Sequence, residues 1–162
     1  MDNNEAFMQR ALELAREAMD EGEVPVGCVV VCDDKIVGEG RNRRERDKNA
    51  LAHAEIEAIN NACRTLGGWR LWKCKLYVTL EPCPMCAGAI INSRIKNVYF
   101  GAYDKKAGSF GSIVNLAELG YNHKPNVEGG ILEKECSEIL SEFFKELRRD
   151  KKTQKTLKVT EE

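Results

Sequence analysis

The stretch that most constrains the fold is residues 75–101. It contains a strand pattern, a helix pattern and a second strand pattern, separated by only a few residues. The apolar spacing predicts a strand over 75–80, a helix over 84–93 and a strand over 97–101. A strand–helix–strand unit of this kind implies parallel pairing and a right-handed connection. Because strands and helices alternate along the chain, we predict an α/β domain with helices on both faces of the sheet.

The remaining elements are predicted from the same periodicities. We expect one domain over residues 1–150, followed by a polar, basic and flexible tail over residues 151–162. Asn3 or Asn4 is available as the N-cap of the first helix. The predicted elements are a helix over 4–20, strands over 26–32 and 35–38 joined by a turn at Asp33-Asp34, a polar loop over 40–52, a helix over 56–66, a helical turn over 113–116, a weak strand over 126–130 and a helix over 132–147.

Composition and charge narrow the class of protein. No apolar run approaches the ~18 residues that a membrane span needs, and the acidic N-terminus lacks a signal-peptide pattern, so we expect a cytoplasmic protein without a membrane partner. The net charge is −1, but residues 145–158 hold seven basic and two acidic side chains. Residues 41–48 are also basic. Basic segments of this kind either contact phosphate or form an ordinary solvated face.

Seven cysteines indicate metal ligation or buried thiols, because disulfides are disfavoured in the cytoplasm. Five of them lie in apolar patterns and are expected to be small core residues: Cys28, Cys32, Cys63, Cys74 and Cys136. The other two belong to the run Pro82-Cys83-Pro84-Met85-Cys86, at the start of the helix predicted over 84–93. Helix N-termini stabilise thiolates, so Cys83 and Cys86 form half of a candidate metal site.

His53 supplies the other half, because it also opens a predicted helix. One nitrogen and two sulfurs suit zinc, and three protein ligands leave a fourth position open for water, as in catalytic sites. Bound zinc lowers the pKa of that water to ~7. Glu55 follows two residues after His53 and can carry protons to and from such a water.

Two other interpretations of the cysteine pair remain open at this point. A lone CxxC can be redox-active, in which case the His-x-Glu segment is a coincidence. A structural zinc needs a fourth ligand, for which Cys74, Cys28 or His123 are candidates. The two motifs together, each at the start of a predicted helix, favour the catalytic zinc site.

His-Ala-Glu followed by Pro-Cys-x-x-Cys is the pattern of the zinc nucleobase deaminases. Over residues 5–150 the chain resembles the bacterial tRNA-specific adenosine deaminases in particular. The resemblance implies a three-layer α/β/α, cytidine-deaminase-like fold with a mixed five-stranded central sheet. It also implies a homodimer that converts the wobble adenosine of an arginine tRNA to inosine. The stretches that carry it are 23–27, 38–43, 52–56, 77–83, 93–95, 100–102, 104–108, 111–112 and 122–123.

The resemblance also implies roles for individual residues. His53, Cys83 and Cys86 would bind one Zn²⁺ per subunit. Glu55 would move a proton from the attacking water to ring N1 and then protonate the leaving amine. The residues that would contact the base or the anticodon stem-loop are Asn42, the backbone of Ala54, Asp104, Lys105, Lys106, Arg148 and Arg149, with Lys151 and Lys152 extending the phosphate track.

Simpler roles exist for two of these residues, since Asn42 could hold its own loop and Asp104 could be a turn residue. One departure from the family pattern is the run 48–51, Lys-Asn-Ala-Leu, where the family often has an Asp-Pro-type turn. Two alternative functions also remain. One is deamination of free nucleobases or nucleotides, of the guanine or cytosine type. The other is a zinc-stabilised, non-catalytic RNA-binding subunit in which Glu55 is idle.

Overall fold

The computed structural model describes residues 2–161 and consists of helices, strands and short connections. In chain order the elements are α1 (Asn3–Asp20), β1 (Gly27–Cys32), β2 (Lys35–Arg41), α2 (Ala54–Leu66), β3 (Cys74–Leu80), α3 (Pro84–Asn92), β4 (Asn97–Ala102), a 3₁₀ helix (Leu116–Glu118), β5 (Asn126–Glu128) and α4 (Glu133–Glu161). None of the helices within residues 2–161 combines the length and the apolar composition that a bilayer crossing needs.

The five strands form one mixed sheet in the order β2-β1-β3-β4-β5. β1 is antiparallel to both β2 and β3, whereas β3, β4 and β5 run parallel to one another. The parallel β3-α3-β4 unit therefore confirms the crossover predicted over 75–101. The α/β class, with a mixed five-stranded sheet between helical layers, is confirmed as well.

The β1–β2 hairpin is closed by a two-residue turn at Asp33 and Asp34, as predicted. Both residues have a positive φ, 51° and 59°, which is the conformation of a type I′ turn and one that aspartate tolerates. β2 extends to Arg41, three residues beyond the predicted strand. The prediction of a loop from residue 40 is therefore wrong at its start, and the longer strand carries the chain directly to Asn42.

Two apolar clusters hold helices against the two faces of the sheet. On one face, α2 and α3 pack through residues such as Ala58 and Ile90; on the other, α1 and α4 pack through residues such as Leu12 and Ile139. Gly38 lets α2 approach β2 closely, because a Cβ there would lie 2.3 Å from the carbonyl oxygen of Ala58. This close contact fixes where the N-terminus of α2 emerges.

The termini and short elements differ from the prediction in detail. Asp2, rather than Asn3 or Asn4, caps α1 by accepting a hydrogen bond from the N–H of Glu5 at 2.8 Å. The 3₁₀ helix begins three residues later than the predicted turn, and β5 is two residues shorter. The prediction that the last helix ends near Asp150 is wrong, since helical backbone continues to Glu161. The boundary at residue 150 thus falls inside α4, and the flexibility of residues 151–162 stays a prediction.

Candidate active site

The N-termini of α2 and α3 meet on one face of the sheet and bring the two sequence motifs together. His53 is the N-cap residue of α2, and Cys83 is the N-cap residue of α3, with Pro84 opening the helix. Neither side chain bonds to its own helix as a cap, so both are available for other partners. Cys86 lies in the first turn of α3 and is fully buried.

The donor atoms of His53, Cys83 and Cys86 are spaced as ligands of one metal ion. The Nδ1 atom of His53 lies 3.7 Å from the Sγ of Cys83 and 3.6 Å from the Sγ of Cys86. Tetrahedral zinc, with bonds of ~2.0 Å to nitrogen and ~2.3 Å to sulfur, places such atoms ~3.6 Å apart. All three donors lie within 4.8 Å of one another. The residues present therefore fit a zinc ion in both donor chemistry and spacing.

None of the three candidate fourth ligands joins this cluster within residues 2–161. His123 is instead within hydrogen-bonding distance of the Ile95 carbonyl oxygen, 2.7 Å from its Nε2. Cys74 lies beside Cys32, its partner across β1 and β3. Three donors leave one position of a tetrahedral ion for water or substrate.

The electrostatics of the cluster favour a thiolate at Cys83. Hydrogen bonding from the Cys86 thiol, followed by His53, lowers the pKa of Cys83 to about 4. The adjacent Cys83 sulfur and burial raise the pKa of Cys86 well above its ordinary value. The pKa of His53 is raised, chiefly by its contact with Cys83. Since thiolate is the form of cysteine that binds metal, one ligand is already in its binding form.

Glu55 lies in the first turn of α2 and points into the same space as the metal donors. Its side chain is buried, with only 5% of the residue exposed. Burial raises the pKa of Glu55 to about 7. A carboxyl group with a pKa near neutrality can both accept and return a proton, which is what a general acid–base catalyst needs.

A cavity of about 210 Å³ opens over this cluster. Six of the predicted site residues line it: Asn42, His53, Ala54, Glu55, Cys83 and Asp104. The sequence prediction missed the other six: Val24, Val26, Arg44, Leu80, Glu81 and Ala107. The surface that the cavity wall exposes is mostly apolar, with polar groups at defined points, as in sites that bind small molecules.

Asn42 lines the cavity and also holds its own loop. Its amide nitrogen donates a hydrogen bond to the carbonyl oxygen of Val24 at 3.2 Å, and its amide oxygen accepts one from the N–H of Arg44 at 3.1 Å. The amide has two donors and two acceptor lone pairs. These loop contacts therefore leave one donor and one acceptor for another partner.

Asp104 is a turn residue whose carboxylate accepts hydrogen bonds from the N–H groups of Lys106 at 3.0 Å and Ala107 at 3.2 Å. Lys105 and Lys106 are exposed and do not line the cavity. Arg148 and Arg149 lie on the exposed part of α4, which packs with α1 against the opposite face of the sheet from α2 and α3. The structure does not bring these four cations to the cavity.

Glu81 is the most consequential residue that the sequence prediction missed. It is 2% exposed, and its carboxylate accepts hydrogen bonds from the N–H groups of Asp104, Phe110 and Ser112 and from the Ser112 hydroxyl. One carboxylate thus holds both ends of the loop over residues 104–112. We call this segment the lid loop, because Asp104 and Ala107 form part of the cavity wall.

Glu23 has a corresponding role on the other side of the cavity. It is 1% exposed and accepts hydrogen bonds from the N–H groups of Glu45 and Arg46, each at 2.9 Å. Both glutamates stand within two residues of a proline, at Glu23-Val24-Pro25 and Glu81-Pro82. For Glu81, an acidic residue directly after an apolar strand pattern is the signal that could have identified it, whereas Glu23 follows Asp20 and Glu21 in an acidic stretch and carries no such signal.

Comparisons with known proteins agree with this geometry. The family model of MafB19-like deaminases matches residues 1–148. The chain is 48% identical over 153 residues to a tRNA-specific adenosine deaminase of Bacillus subtilis, covering 94% of this chain and 95% of that protein.

Two solved structures are also similar. One belongs to a study of A-to-I editing by tRNA:A34 deaminases at the wobble position, with 44% identity, a TM-score of 0.79, and coverage of 83% of this chain and 98% of that one. The other is a guanine deaminase of Bacillus subtilis, also 44% identical, with a TM-score of 0.58 over 61% of this chain and 64% of that one. The match to the tRNA:A34 deaminase covers more of both chains than the match to the guanine deaminase. The tRNA:A34 deaminase is therefore the better structural comparison for this chain.

Proposed function

This chain belongs to the tRNA-specific adenosine deaminases, and we propose that it hydrolyses the wobble adenosine of an arginine tRNA to inosine and ammonia. The observation that carries the proposal is the buried carboxyl of Glu55 beside three metal donors in one cavity. The similar proteins of nearly the same length are tRNA adenosine deaminases. The reaction needs an acid–base group and an electrophilic metal in contact with a single base, and the cavity offers the carboxyl of Glu55 and three donors that would hold the metal.

His53, Cys83 and Cys86 would hold one zinc ion per subunit. When bound, zinc supplies a Lewis acid that makes water a better nucleophile at neutral pH. The protein's own contribution is to hold the three donors at the spacing that zinc prefers and to exclude bulk water around them. The N-terminal ends of α2 and α3 hold the donors of His53 and Cys83 in place. The burial of Cys86 keeps bulk water away from its sulfur.

Glu55 would carry the protons of the reaction. It takes one proton from the attacking water and delivers it to ring N1 of adenine, while the water oxygen adds to C6. It would then take the proton of the new C6 hydroxyl and transfer it to the exocyclic nitrogen, so that the C6–N6 bond breaks, the C6 carbonyl of inosine forms and ammonia leaves. A pKa near 7 suits these alternating roles, because neither protonation state is strongly disfavoured at neutral pH.

Asn42 and Ala54 would position the base. The donor and acceptor that Asn42 keeps after its loop contacts can bond to the edge of a nucleobase. Ala54 is the first residue of α2, and N–H groups in a first helical turn have no partner within the helix. A base in a single-stranded loop can be turned out into such a pocket at lower cost than a paired base.

The anticodon stem-loop would bind around the cavity mouth. Lys105 and Lys106 are exposed on the lid loop, next to the cavity wall, and can reach phosphate there. Arg148 and Arg149 would extend the phosphate contact only if the RNA continues past the edge of the sheet. Contacts of this type carry affinity and strong salt dependence rather than base specificity.

We also propose that the chain is a homodimer that acts in the cytoplasm. The support for a dimer comes from α3, which contains no charged residue and whose positions Met85 and Gly88 are only partly exposed. A short helix that is apolar on most sides is expected to be covered. Analytical ultracentrifugation should give about twice the monomer mass of 18.2 kDa, and a single monomeric species contradicts the proposal.

The decisive experiment compares RNA with free bases. Zinc-loaded protein is incubated with an arginine-tRNA anticodon stem-loop carrying wobble adenosine, and separately with guanine, cytosine and adenosine, and inosine and ammonia are measured. We expect inosine from the stem-loop alone. Ammonia from a free base without inosine from the stem-loop would establish the guanine- or cytosine-type alternative, which the similarity to a guanine deaminase makes the second candidate. RNA binding without turnover of any substrate would establish the non-catalytic alternative.

The role of Glu55 is tested by Glu55→Gln with Glu57→Gln as the matched control. Both residues lie in the first turn of α2, but Glu57 pairs with Arg43 at 2.6 Å and does not line the cavity. Loss of an acid–base catalyst costs ~10²–10⁴-fold in rate, so Glu55→Gln should lose at least that much turnover while keeping its zinc. Equal activities of the two variants would refute the assignment.

A further inference from the structure

Two cysteines face each other across neighbouring strands of the sheet. Cys32 is the last residue of β1 and Cys74 is the first residue of β3, and the register of the antiparallel ladder pairs them directly. Residues that oppose each other in a ladder have their side chains on the same face of the sheet. Both thiols therefore lie on the face that α2 covers, where Cys74 belongs to the apolar cluster and Cys32 packs against it. Both are free thiols in the structure.

The spacing of a ladder pair suits a disulfide bond. Directly opposed residues of an antiparallel pair have Cα atoms ~4.5 or ~5.5 Å apart, depending on whether they exchange hydrogen bonds. A disulfide bridges Cα atoms that are ~4.4–6.8 Å apart, so both kinds of pair lie within its range. The two side chains are already in contact, because the Cys74 thiol has Cys32 as a hydrogen-bonding partner. A bond between the two sulfurs therefore needs no change in the register of β1 and β3.

The pair lies at the end of the sheet, where each strand meets a turn or a loop. Cys32 is followed by the turn at Asp33 and Asp34. Cys74 is preceded by the connection from α2, and its N–H donates to the Leu71 carbonyl oxygen at 3.0 Å. The Cβ atoms of a ladder pair are ~4.5–5.5 Å apart and must come to ~3.8 Å in a disulfide. An end pair can make this adjustment, because the ladder continues from it in one direction only.

The two thiols differ in their access to solvent. β1 is buried over residues 27–31, whereas Cys32 at its end is partly exposed. Cys74 is 1% exposed, and burial, followed by the neighbouring Cys32 sulfur, raises the pKa of its thiol to about 12. Oxidation of cysteine depends on access to the oxidant and on thiolate character. Cys32 is therefore the thiol that a small oxidant reaches first, and Cys74 is the neighbour that can complete a disulfide.

A third cysteine, Cys63, lies near the end of α2 and packs against the same cluster. It affects the pKa of Cys74 through its charge, whereas Cys32 also hydrogen-bonds to Cys74. Within residues 2–161 the three sulfurs are not close enough to one another to form a metal site. The backbone register thus favours Cys32 as the partner of Cys74, and Cys63 provides a natural control.

We propose that Cys32 and Cys74 form a redox-active dithiol, which hydroperoxides oxidise to a disulfide that ties β1 to β3. The Cys32 sulfur, as thiolate, attacks one oxygen of the peroxide, the O–O bond breaks, and the departing hydroxide takes up the thiol proton to form water. Cys32 is left as a sulfenic acid. The Cys74 sulfur then attacks the sulfenic sulfur, so that the S–S bond forms, the S–O bond breaks, and the hydroxyl leaves with the Cys74 proton as a second water. Two electrons pass in total from the two sulfurs to the peroxide.

A disulfide of this kind agrees with the cytoplasmic location proposed above. Cytosolic disulfides are usually transient and serve redox sensing, and reducing thiols reverse them. The reduced and the oxidised dithiol would then be two states of the same folded chain.

The dithiol lies at the opposite end of the sheet from the candidate active site. Glu81 and Cys83 follow the end of β3, and a strand of seven residues spans ~20 Å. The disulfide would close a loop over residues 32–74, which contains the whole of α2. Such a cross-link stabilises a protein chiefly by restricting its unfolded chain. The oxidised protein should therefore keep its metal donors and unfold at a higher temperature, whichever base the cavity accepts.

Peptide mapping of the zinc-loaded protein tests the proposal. The protein is treated with hydrogen peroxide, its free thiols are alkylated, and it is digested without reduction. We expect a pair of peptides joined through Cys32 and Cys74, two hydrogens lighter than their sum, which dithiothreitol separates, and an unchanged zinc content. Recovery of both cysteines without a cross-link would overturn the proposal. A cross-link to Cys63 instead, or a disulfide between Cys83 and Cys86 with loss of zinc as the main product, would overturn it as well.

Thermal unfolding of three variants gives the second test. After peroxide treatment the melting temperature of the wild-type protein and of the control Cys63→Ala should rise by ~4–16 °C, the gain that a typical disulfide gives a chain of this size. Cys32→Ala and Cys74→Ala should show no such rise. An equal rise in all four proteins, or a cross-linked wild-type protein that melts no higher than the reduced one, would refute the bracing of β1 against β3. The peptide map uses the wild-type chain, so it decides the case even if the buried substitution Cys74→Ala prevents folding.

Discussion

Replacement of Glu81 by glutamine should detach one end of the lid loop from the metal centre. In the wild-type protein one carboxylate oxygen accepts from the N–H of Asp104 at 3.1 Å and from the Ser112 hydroxyl. The other accepts from the N–H groups of Phe110 at 3.2 Å and Ser112 at 3.1 Å. Glutamine keeps the size of the side chain but replaces one of the two acceptor oxygens with a donor.

The cost follows from which oxygen is replaced. If the amide nitrogen takes the place of the oxygen shared by Phe110 and Ser112, two N–H groups lose their acceptor. If it takes the other place, the Ser112 hydroxyl can turn and accept from it, and only the N–H of Asp104 is left unsatisfied. The second orientation is cheaper, and one unsatisfied, half-buried N–H costs about 1–2 kcal/mol. For a chain of this size the melting temperature should fall by about 2–8 °C.

The measurement combines thermal unfolding with kinetics on the stem-loop. We expect the lower melting temperature together with a raised KM, because Asp104 and Ala107 form part of the cavity wall. Zinc content should not change, since the lid loop supplies no ligand. Glu118→Gln is the matched control, as Glu118 is an exposed acid that pairs with the exposed Lys124 at 3.1 Å. If Glu81→Gln matches the wild-type protein in both melting temperature and KM, the anchoring role is wrong.

Two further predictions address the metal centre and the fold that positions it. Cys83→Ala should lose zinc, as measured by elemental analysis, and should melt at a lower temperature, because metal affinity contributes to folding stability; full zinc occupancy would show that the ligand set is wrong. Gly38→Ala should destabilise the protein by about 1–3 kcal/mol in denaturant unfolding, since its new Cβ would lie 2.3 Å from the Ala58 carbonyl oxygen. Gly68→Ala, where nothing lies within 4 Å, is the control, and equal stability of the two variants would contradict the close packing of α2 on β2.

The elements that the sequence predicted well are those whose pattern is local. The β3-α3-β4 unit and the Asp33-Asp34 turn follow from side-chain periodicity and from the backbone preference of aspartate. The last three residues of β2 were missed, because Gly38 and Gly40 interrupt the apolar pattern of the strand. Their role is to admit α2 at close range, which is a tertiary requirement.

The length of α4 was missed for a related reason. The apolar periodicity of the sequence ends near Leu147, so it gives no signal for the helix beyond that point. Lysine, glutamine and leucine continue the helix past Asp150 through their intrinsic propensity. Exposed helix of this kind leaves no hydrophobic pattern to detect.

The residues of the candidate site also fall into those that a local pattern predicts and those that only the folded chain brings together. The metal donors and Glu55 were predicted because each belongs to a motif of two to four residues at a helix start. The cavity wall was predicted only in part, because it is assembled from the ends of β2 and β3 and from the lid loop. The partners of Glu81, for example, lie 23 to 31 residues further along the chain. The amino-acid sequence contains no periodic pattern that would predict a hydrogen bond between residues so far apart in the chain.

The positions of the two buried glutamates explain how the cavity wall keeps its alignment with the metal donors. Glu81 stands two residues before Cys83, so the lid loop is bonded to the same short segment that supplies one of the proposed metal donors. Glu23 holds the chain at residues 45–46, and Asn42 bonds back to Val24, the residue next to Glu23. Both walls are thus bonded to buried carboxylates, one in the segment before β1 and one directly after β3. Exposed residues between the anchors, such as Lys105, do not hold the wall. Substrate preference can therefore change through exposed loop residues without disturbing the metal site, whereas a change at either glutamate should alter the wall.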